Sequence, residues 1–376
     1  MKYLKTLSKH LNIISFDVPY PPNYGGAIDV FYKLKTLHEL GVKINLHTYE
    51  YGRGEPIELQ KYCDSIFYYK RNKKLKHVFS RTPFIVKTRA NETLVKNLQS
   101  NKYPILFEGI HSTSPLLKED FKNRTILIRA HNIEHNYYKG LSKSETNKFK
   151  KLYFNSEAIK LYKFQNIFKK ATCILSISPT EQAYFLNEFP SKSVYIPAFH
   201  QNKTIACLKG KGEFALYHGD IRVADNLKAC EYLIKTFAKT NYPLIIASNH
   251  SNLKLELEIN NHKNIEYQKI KNNDELFELI HTAHINVLPT FQNTGIKLKL
   301  INALFNGRFC LVNNEMILNT GLEQLCHIAN SKNEFLKKIE EIFIQEFTEN
   351  NILERKELLK TFDSQVNAQK IIDLLP

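Results

Sequence analysis

No apolar run in this 376-residue chain approaches the length needed to cross a bilayer. The N-terminal MKYLKTLSKHLNIISF lacks the sustained apolar segment and small-residue cleavage site of a signal peptide, so a cytoplasmic protein is expected. Six cysteines (Cys63, Cys173, Cys207, Cys230, Cys310 and Cys326) form no C-x-x-C pair and have no histidine at metal-ligand spacing. That pattern excludes the common zinc motifs and predicts reduced structural thiols. G-x-G-x-x-G is also missing, which removes the standard dinucleotide fingerprint. There is no internal repeat, no low-complexity segment, and no RNA- or DNA-binding motif.

What is present describes a globular protein. Hydrophobic residues make up 43% and charged residues 24% of a chain long enough for two domains. The formal net charge of +16 is the outlier, and it implies an acidic partner: nucleic acid, an anionic membrane surface or a phosphorylated substrate. A Lys- and Asn-rich composition raises the charge without any partner as well. The densest run, Lys70 to His77 followed by Val78 and Phe79, suits an anionic lipid surface and equally a solvated loop.

The segment order is α/β. Leu11 to Phe16 reads as a buried strand, VPYPPNYGG as a loop ending in Gly25-Gly26, and Ala27 to Leu40 as a helix with Val30, Leu34 and Leu37 on one face. Strands at 104–107 and 125–129 each lead into a loop with histidine, the first carrying His111 and the second His131. Loops at the carboxyl ends of parallel strands bind ligands in open α/β sheets, so both histidines are site candidates; capping a helix or bonding a backbone carbonyl is the alternative for each. Periodicity fades between Ala198 and Gly212, and a second α/β series starts at Phe214. The expected domains are therefore 1–198 and 199–356, with the terminal helix 357–376 packing back on the first.

The stretch LPTFQNTGIKLKLINAL, Leu288 to Leu304, joins a buried strand, a glycine-containing loop and a helix start with two lysines. Free N–H groups and a positive dipole at such a helix start welcome an anion. On helical spacing Gly295, Lys299 and Asn302 share a face while Lys297 points elsewhere, which makes Lys299 the first candidate for a phosphate. Ordinary solvated lysines fit the same spacing.

PPNYGG after the first strand, YHG opening the second half, RAHNIEHNYY and TGIKLKLINALFNGR together resemble the group 1 (family 4) glycosyltransferases, in particular a subgroup of Bacteroidetes-type polysaccharide-building enzymes. The resemblance implies a GT-B architecture: α/β, with two Rossmann-like doubly wound parallel-sheet domains facing a cleft. It further implies retaining transfer from a nucleoside-diphosphate sugar to a glycan or lipid-linked acceptor, with no cofactor and no metal, and D-x-D is indeed missing from the sequence. By the same resemblance Gly25 and Gly26 match the diglycine loop over the donor diphosphate, His111 the active-site histidine, and the His131 loop a motif facing the acceptor. Thr294 and Asn302 stand where relatives carry the two glutamates of E-x7-E, the second of which binds the donor ribose. After Gly219 relatives often carry Arg and then Lys; here Asp220 and Asp225 hold those places, with Arg222 nearby, which moves the phosphate charge onto Lys297 and Lys299. Peripheral attachment to the inner face of the cytoplasmic membrane is expected, and nucleic acid is not an expected partner. Two other readings remain: a GT-B-type sugar-nucleotide epimerase, and a basic nucleic-acid-binding protein.

Overall fold

Short apolar strands alternate with helices along most of the chain, and they assemble into two fully parallel sheets. The computed structural model describes residues 9–292, 297–318 and 320–376. One compact unit runs to Gln201 and includes Thr361–Pro376; the other begins at Asn202 and ends at Lys360.

The first sheet holds β1 (His10–Ser15), β2 (Lys43–Glu50), β3 (Ser65–Lys70), β4 (Ile105–Glu108), β5 (Ile126–Ala130), β6 (Cys173–Ser176) and β7 (Ser193–Tyr195). Their order is β3-β2-β1-β4-β5-β6-β7. Successive side chains of a strand point to opposite faces, and here both faces are covered. Ile14, Phe107, Ile128 and Ile174 enter one core, while Ile13, Leu106, Leu127 and Leu175 enter the other. Helix α1 (Gly25–Glu39) packs on the second face through Val30, Leu34 and Leu37. On the other side of the sheet lie α2 (Glu134–Ser144) and α3 (Lys148–Phe164), which pack against each other.

The second sheet holds β8 (Ala215–His218), β9 (Leu244–Ser248), β10 (Ile265–Lys269), β11 (Ile285–Leu288), β12 (Phe309–Val312) and β13 (His327–Ile328), in the order β10-β9-β8-β11-β12-β13. Helix α4 (Ala224–Phe237) follows β8, and α5 (Leu298–Asn306) follows β11. The last helix, α6 (Ser364–Asp373), belongs to the first unit: Ala368 and Ile371 join the core beneath α1, and the Lys9 ammonium donates to the carbonyls of Ile372 (3.0 Å) and Leu375 (2.8 Å) at its end. A cation on those last carbonyls also suits the negative end of the helix dipole.

Two element boundaries differ from the sequence expectation. The diglycine forms the first turn of α1 rather than the end of the preceding loop. Helix α5 begins at Leu298, so Lys299 lies in its first turn; Thr294 and Gly295 fall outside the described residues. No helix among the described residues is long and apolar enough to cross a membrane.

Candidate functional site

In each sheet the connections reverse direction at one point, between β1 and β4 in the first and between β8 and β11 in the second. Open α/β sheets bind ligands outside the carboxyl ends of the strands at such points. Gly26, His111 and His131 of the first unit, and Gly219 and Lys299 of the second, gather there.

In the first unit Phe16, just beyond β1, is the common neighbour. Its ring lies 5.5 Å from those of His111 and His131. A Cβ on Gly26 would come within 2.7 Å of that ring, so only glycine lets the start of α1 approach it. Gly26, His111 and His131 thus form one cluster, with Gly25 as the first residue of the helix. The His111 ring is half-buried, yet its Nδ1 is buried without a hydrogen-bond partner. Burial, and then the positive charge of Arg89, hold His111 well below the usual histidine range, which leaves a neutral imidazole.

Beneath these histidines lies a charged network that the sequence reading missed. Asp29 and Lys33 of α1, Glu108 of β4 and Arg129 of β5 are all fully buried. Lys33 bridges Asp29 (3.0 Å) and Glu108 (2.7 Å). Arg129 grips Asp29 with two nitrogens (3.1 and 3.0 Å), and its other donors reach the carbonyls of Ile196 and Pro197. The Phe199 amide completes the shell of Asp29 at 2.8 Å. Burial alone would raise the Asp29 carboxyl; Arg129 and Lys33 overcome that and hold it below the ordinary carboxylate range. His131 rests on this platform, Nε2 at 3.1 Å from Glu108 and Nδ1 at 3.8 Å from Asp29.

Asp29, Glu108 and His131 offer ligand atoms within 4.8 Å of one another, a spacing that could hold a metal ion. The Lys33 ammonium and Arg129 guanidinium already neutralise both carboxylates, so the donor set fits a cation poorly. Also missed from sequence is Glu134, the first residue of α2, whose buried carboxyl is pushed up to about 7 by burial.

In the second unit Lys299 reaches back from α5 over the end of β8. Its Nζ donates to Asn226 Oδ1 (2.6 Å) and the Tyr217 hydroxyl (3.3 Å), and it sits 4.9 Å from the Tyr217 ring centre. A Cβ on Gly219 would lie 2.9 Å from that Nζ, so the glycine after β8 makes room for the lysine. Both oxygen partners are neutral. Burial pushes the ammonium down to about 8, and it forms no ion pair among the described residues. The first turn of α5 contains no acidic residue that would offset its positive end. Lys297, the residue preceding α5, donates to the Gln292 carbonyl at 3.0 Å and is lowered by burial. Beside them His218 is lowered to about 3 by burial and Lys299, and its buried Nε2 has no hydrogen-bond partner.

The remaining candidates lie differently. Arg222 is exposed and paired with Asp220 at 2.7 Å, so its charge is already compensated. Asp225, near the start of α4, accepts from Thr290 Oγ1 (2.7 Å) and the Phe291 amide (2.9 Å), which ties down the loop after β11. Asn302 does not share a target with Lys299. Its side-chain oxygen accepts from Asn202 at 2.9 Å, and Asn306 bonds both Asn202 and the Asn302 carbonyl.

No protein-family profile matches the chain. An uncharacterized 44.6 kDa protein in the cps region of Klebsiella pneumoniae is 26% identical over 353 residues, covering 87% of this chain and 89% of that protein. Among solved structures, TarM superposes with a TM-score of 0.66 at 12% identity, over 98% of this chain and 99% of that one. A glycosyltransferase from Rickettsia africae ESF-5 gives 0.64 at 13% identity, over 98% and 97%. The lipopolysaccharide outer core galactosyltransferase WaaB gives 0.59 at 11% identity, over 96% and 99%. At these identities the likeness speaks for the fold: two parallel-sheet α/β units of seven and six strands, the fold of the GT-B glycosyltransferases.

Proposed function

We propose that this chain is a retaining glycosyltransferase of the group 1 (family 4) type, which moves a sugar from a nucleoside-diphosphate donor to a glycan or lipid-linked acceptor in cell-surface polysaccharide assembly. The observation that carries the reading is Lys299: a half-buried ammonium with neutral partners only, at the reversal point of a parallel sheet and in the first turn of a helix. Cleavage of a glycosyl phosphate bond develops negative charge on the departing diphosphate. An ammonium and helix N–H groups fixed in place stabilise that charge more in the transition state than in the ground state. The relative in a cps region supports the polysaccharide setting. Neutral His111, in the first unit, is the residue assigned to the reacting sugar.

A thermal-shift screen of UDP-, GDP- and dTDP-sugars, followed by transfer assays with the stabilising donor, tests this. A ligand at 100 times its Kd stabilises by about 2.7 kcal/mol. His111→Ala should cut kcat more than tenfold with Tm nearly unchanged, because the ring makes no hydrogen bond among the described residues. Unaltered turnover would remove His111 from the reaction. An epimerised sugar nucleotide formed without any acceptor would replace the transferase reading altogether.

The acceptor side includes a membrane-facing surface. Leu75 and Phe79 lie in a short turn among Lys73, Lys74, Lys76 and His77, and Phe79 is 90% exposed. That turn adjoins α3, where Lys160 donates to the Val78 carbonyl at 2.5 Å. Phe149 (84% exposed) and Leu152 of α3 add apolar side chains among Lys148, Lys150 and Lys151. Exposed apolar groups ringed by lysines match an anionic bilayer, with about 1 kcal/mol for each basic residue near the surface. Lys74→Glu with Lys76→Glu should weaken binding to phosphatidylglycerol vesicles by about thirtyfold on that scale. Sedimentation equal to the parent would reject the surface.

A further inference from the structure

Three cationic side chains converge on the ring of Tyr51, just past the end of β2. Lys73 Nζ is 4.6 Å from the ring centre, Arg71 Cζ 5.2 Å and Arg89 Cζ 5.8 Å. None of the three pairs with a carboxylate among the described residues. The nearby acids are engaged otherwise: Glu50 accepts the amides of Gly52 and Gly54, Asp17 the Tyr24 hydroxyl, and Glu157 the Phe84 amide and Lys160.

The two guanidiniums are held in place. Arg71 Nε donates to Thr88 Oγ1 at 3.0 Å. Arg89 is buried and donates to the carbonyls of Phe16 (2.9 Å) and Ile85 (2.7 Å), with a further bond to the Tyr51 hydroxyl at 3.3 Å. Burial, and after it the charge of Arg71, lower the affinity of Arg89 for its proton. A phenol ring attracts each cation weakly and does nothing to relieve their mutual repulsion.

We propose that Arg71, Lys73, Arg89 and Tyr51 form an anion subsite that takes a phosphate or diphosphate group of the acceptor beside His111. Three positive charges suit a multiply charged group rather than a single carboxylate, and a planar guanidinium fork matches phosphate oxygens. The position follows from Arg89, which holds the Phe16 carbonyl while the Phe16 ring contacts His111. Assigning the anion to an acceptor rests on the transferase reading; the binding of an anion here does not.

The chain contains no tryptophan, so Tyr51→Trp installs a single indole reporter that keeps an aromatic face for the cations. Titration with inorganic pyrophosphate at fixed ionic strength should give a saturable fluorescence change. Adding Arg71→Gln and Lys73→Gln should weaken it at least tenfold, whereas adding Lys299→Ala should leave it in place. Calorimetry with pyrophosphate on Lys299→Ala protein that keeps Tyr51, with and without Arg71→Gln and Lys73→Gln, gives the same comparison should the reporter variant fold poorly. Equal pyrophosphate affinity with and without the two glutamines would overturn the subsite. So would a reporter that answers only to phosphatidylglycerol vesicles, because the cluster would then belong to the membrane face. Pyrophosphate binding that depends on Arg71 and Lys73, in a protein that transfers no sugar, would keep the subsite and defeat the transferase reading instead.

Discussion

Lys299→Ala is expected to lower kcat/KM for the sugar-nucleotide donor by roughly tenfold to a few hundredfold, because a hydrogen bond to a charged group contributes on the order of 1.5–3 kcal/mol. The loss should appear in kcat as well as KM, since the diphosphate gains charge as the glycosidic bond breaks. Lys297→Ala should cost less: that ammonium already donates to the Gln292 carbonyl, and it lies outside the helical first turn. A pH signature accompanies the effect. Burial brings Lys299 down to about 8, so its charge and its hold on the diphosphate fade as pH rises through that value. The folded pKa lies below the unfolded one, so the ligand-free protein gains stability over the window from about 8 to about 10.4 while donor binding weakens. Donor KM should climb above about pH 8 in the parent and stay flat in Lys299→Ala. Parental kcat/KM in both lysine variants would show that the diphosphate is held by other groups.

Much of this arrangement was legible because it follows from local periodicity. Leu11 to Ser15, the runs at 105–107 and 126–128, and Ile285 to Leu288 are mostly apolar, and they lie in central strands of parallel sheets. The spacing of α5 also declared itself: Lys299, Asn302 and Asn306 are its non-buried positions, at i, i+3 and i+7. Partner identity was not legible, because it depends on pairings across long sequence distances. Asn302 meets Asn202, one hundred residues away, and Arg129 meets Asp29 at the same separation. Two signals for the buried network were nonetheless present. Asp29 and Lys33 stand four apart on α1, and Arg129 interrupts the otherwise apolar strand ILIRA. An arginine there must either end the strand or meet a buried anion. Arg222 illustrates the opposite limit, since Asp220 two residues earlier was visible and pairs with it.

Asp29→Ala is expected to destabilise the first unit by about 3–5 kcal/mol at neutral pH, the usual cost of stripping one partner from a buried ion pair. Lys33 keeps Glu108 at 2.7 Å, so the loss falls on Arg129, which retains only the carbonyls of Ile196 and Pro197, and on the Phe199 amide. Asp29→Asn keeps oxygen acceptors but removes the charge, and it should cost less. The carboxyl of Asp29 is held below its ordinary range, so its contribution is complete above about pH 4, the unfolded value, and is lost as pH falls through the folded value. The gap between parent and Asp29→Ala should therefore narrow in acid. Replacing both partners, Asp29→Leu with Arg129→Met, should recover most of the stability, because no unpaired buried charge remains. Urea unfolding of the four proteins decides the matter. A cost below about 1 kcal/mol for Asp29→Ala, in the range of exposed pairs, would mean that water reaches the network and that His131 rests on a softer platform than its bond to Glu108 implies.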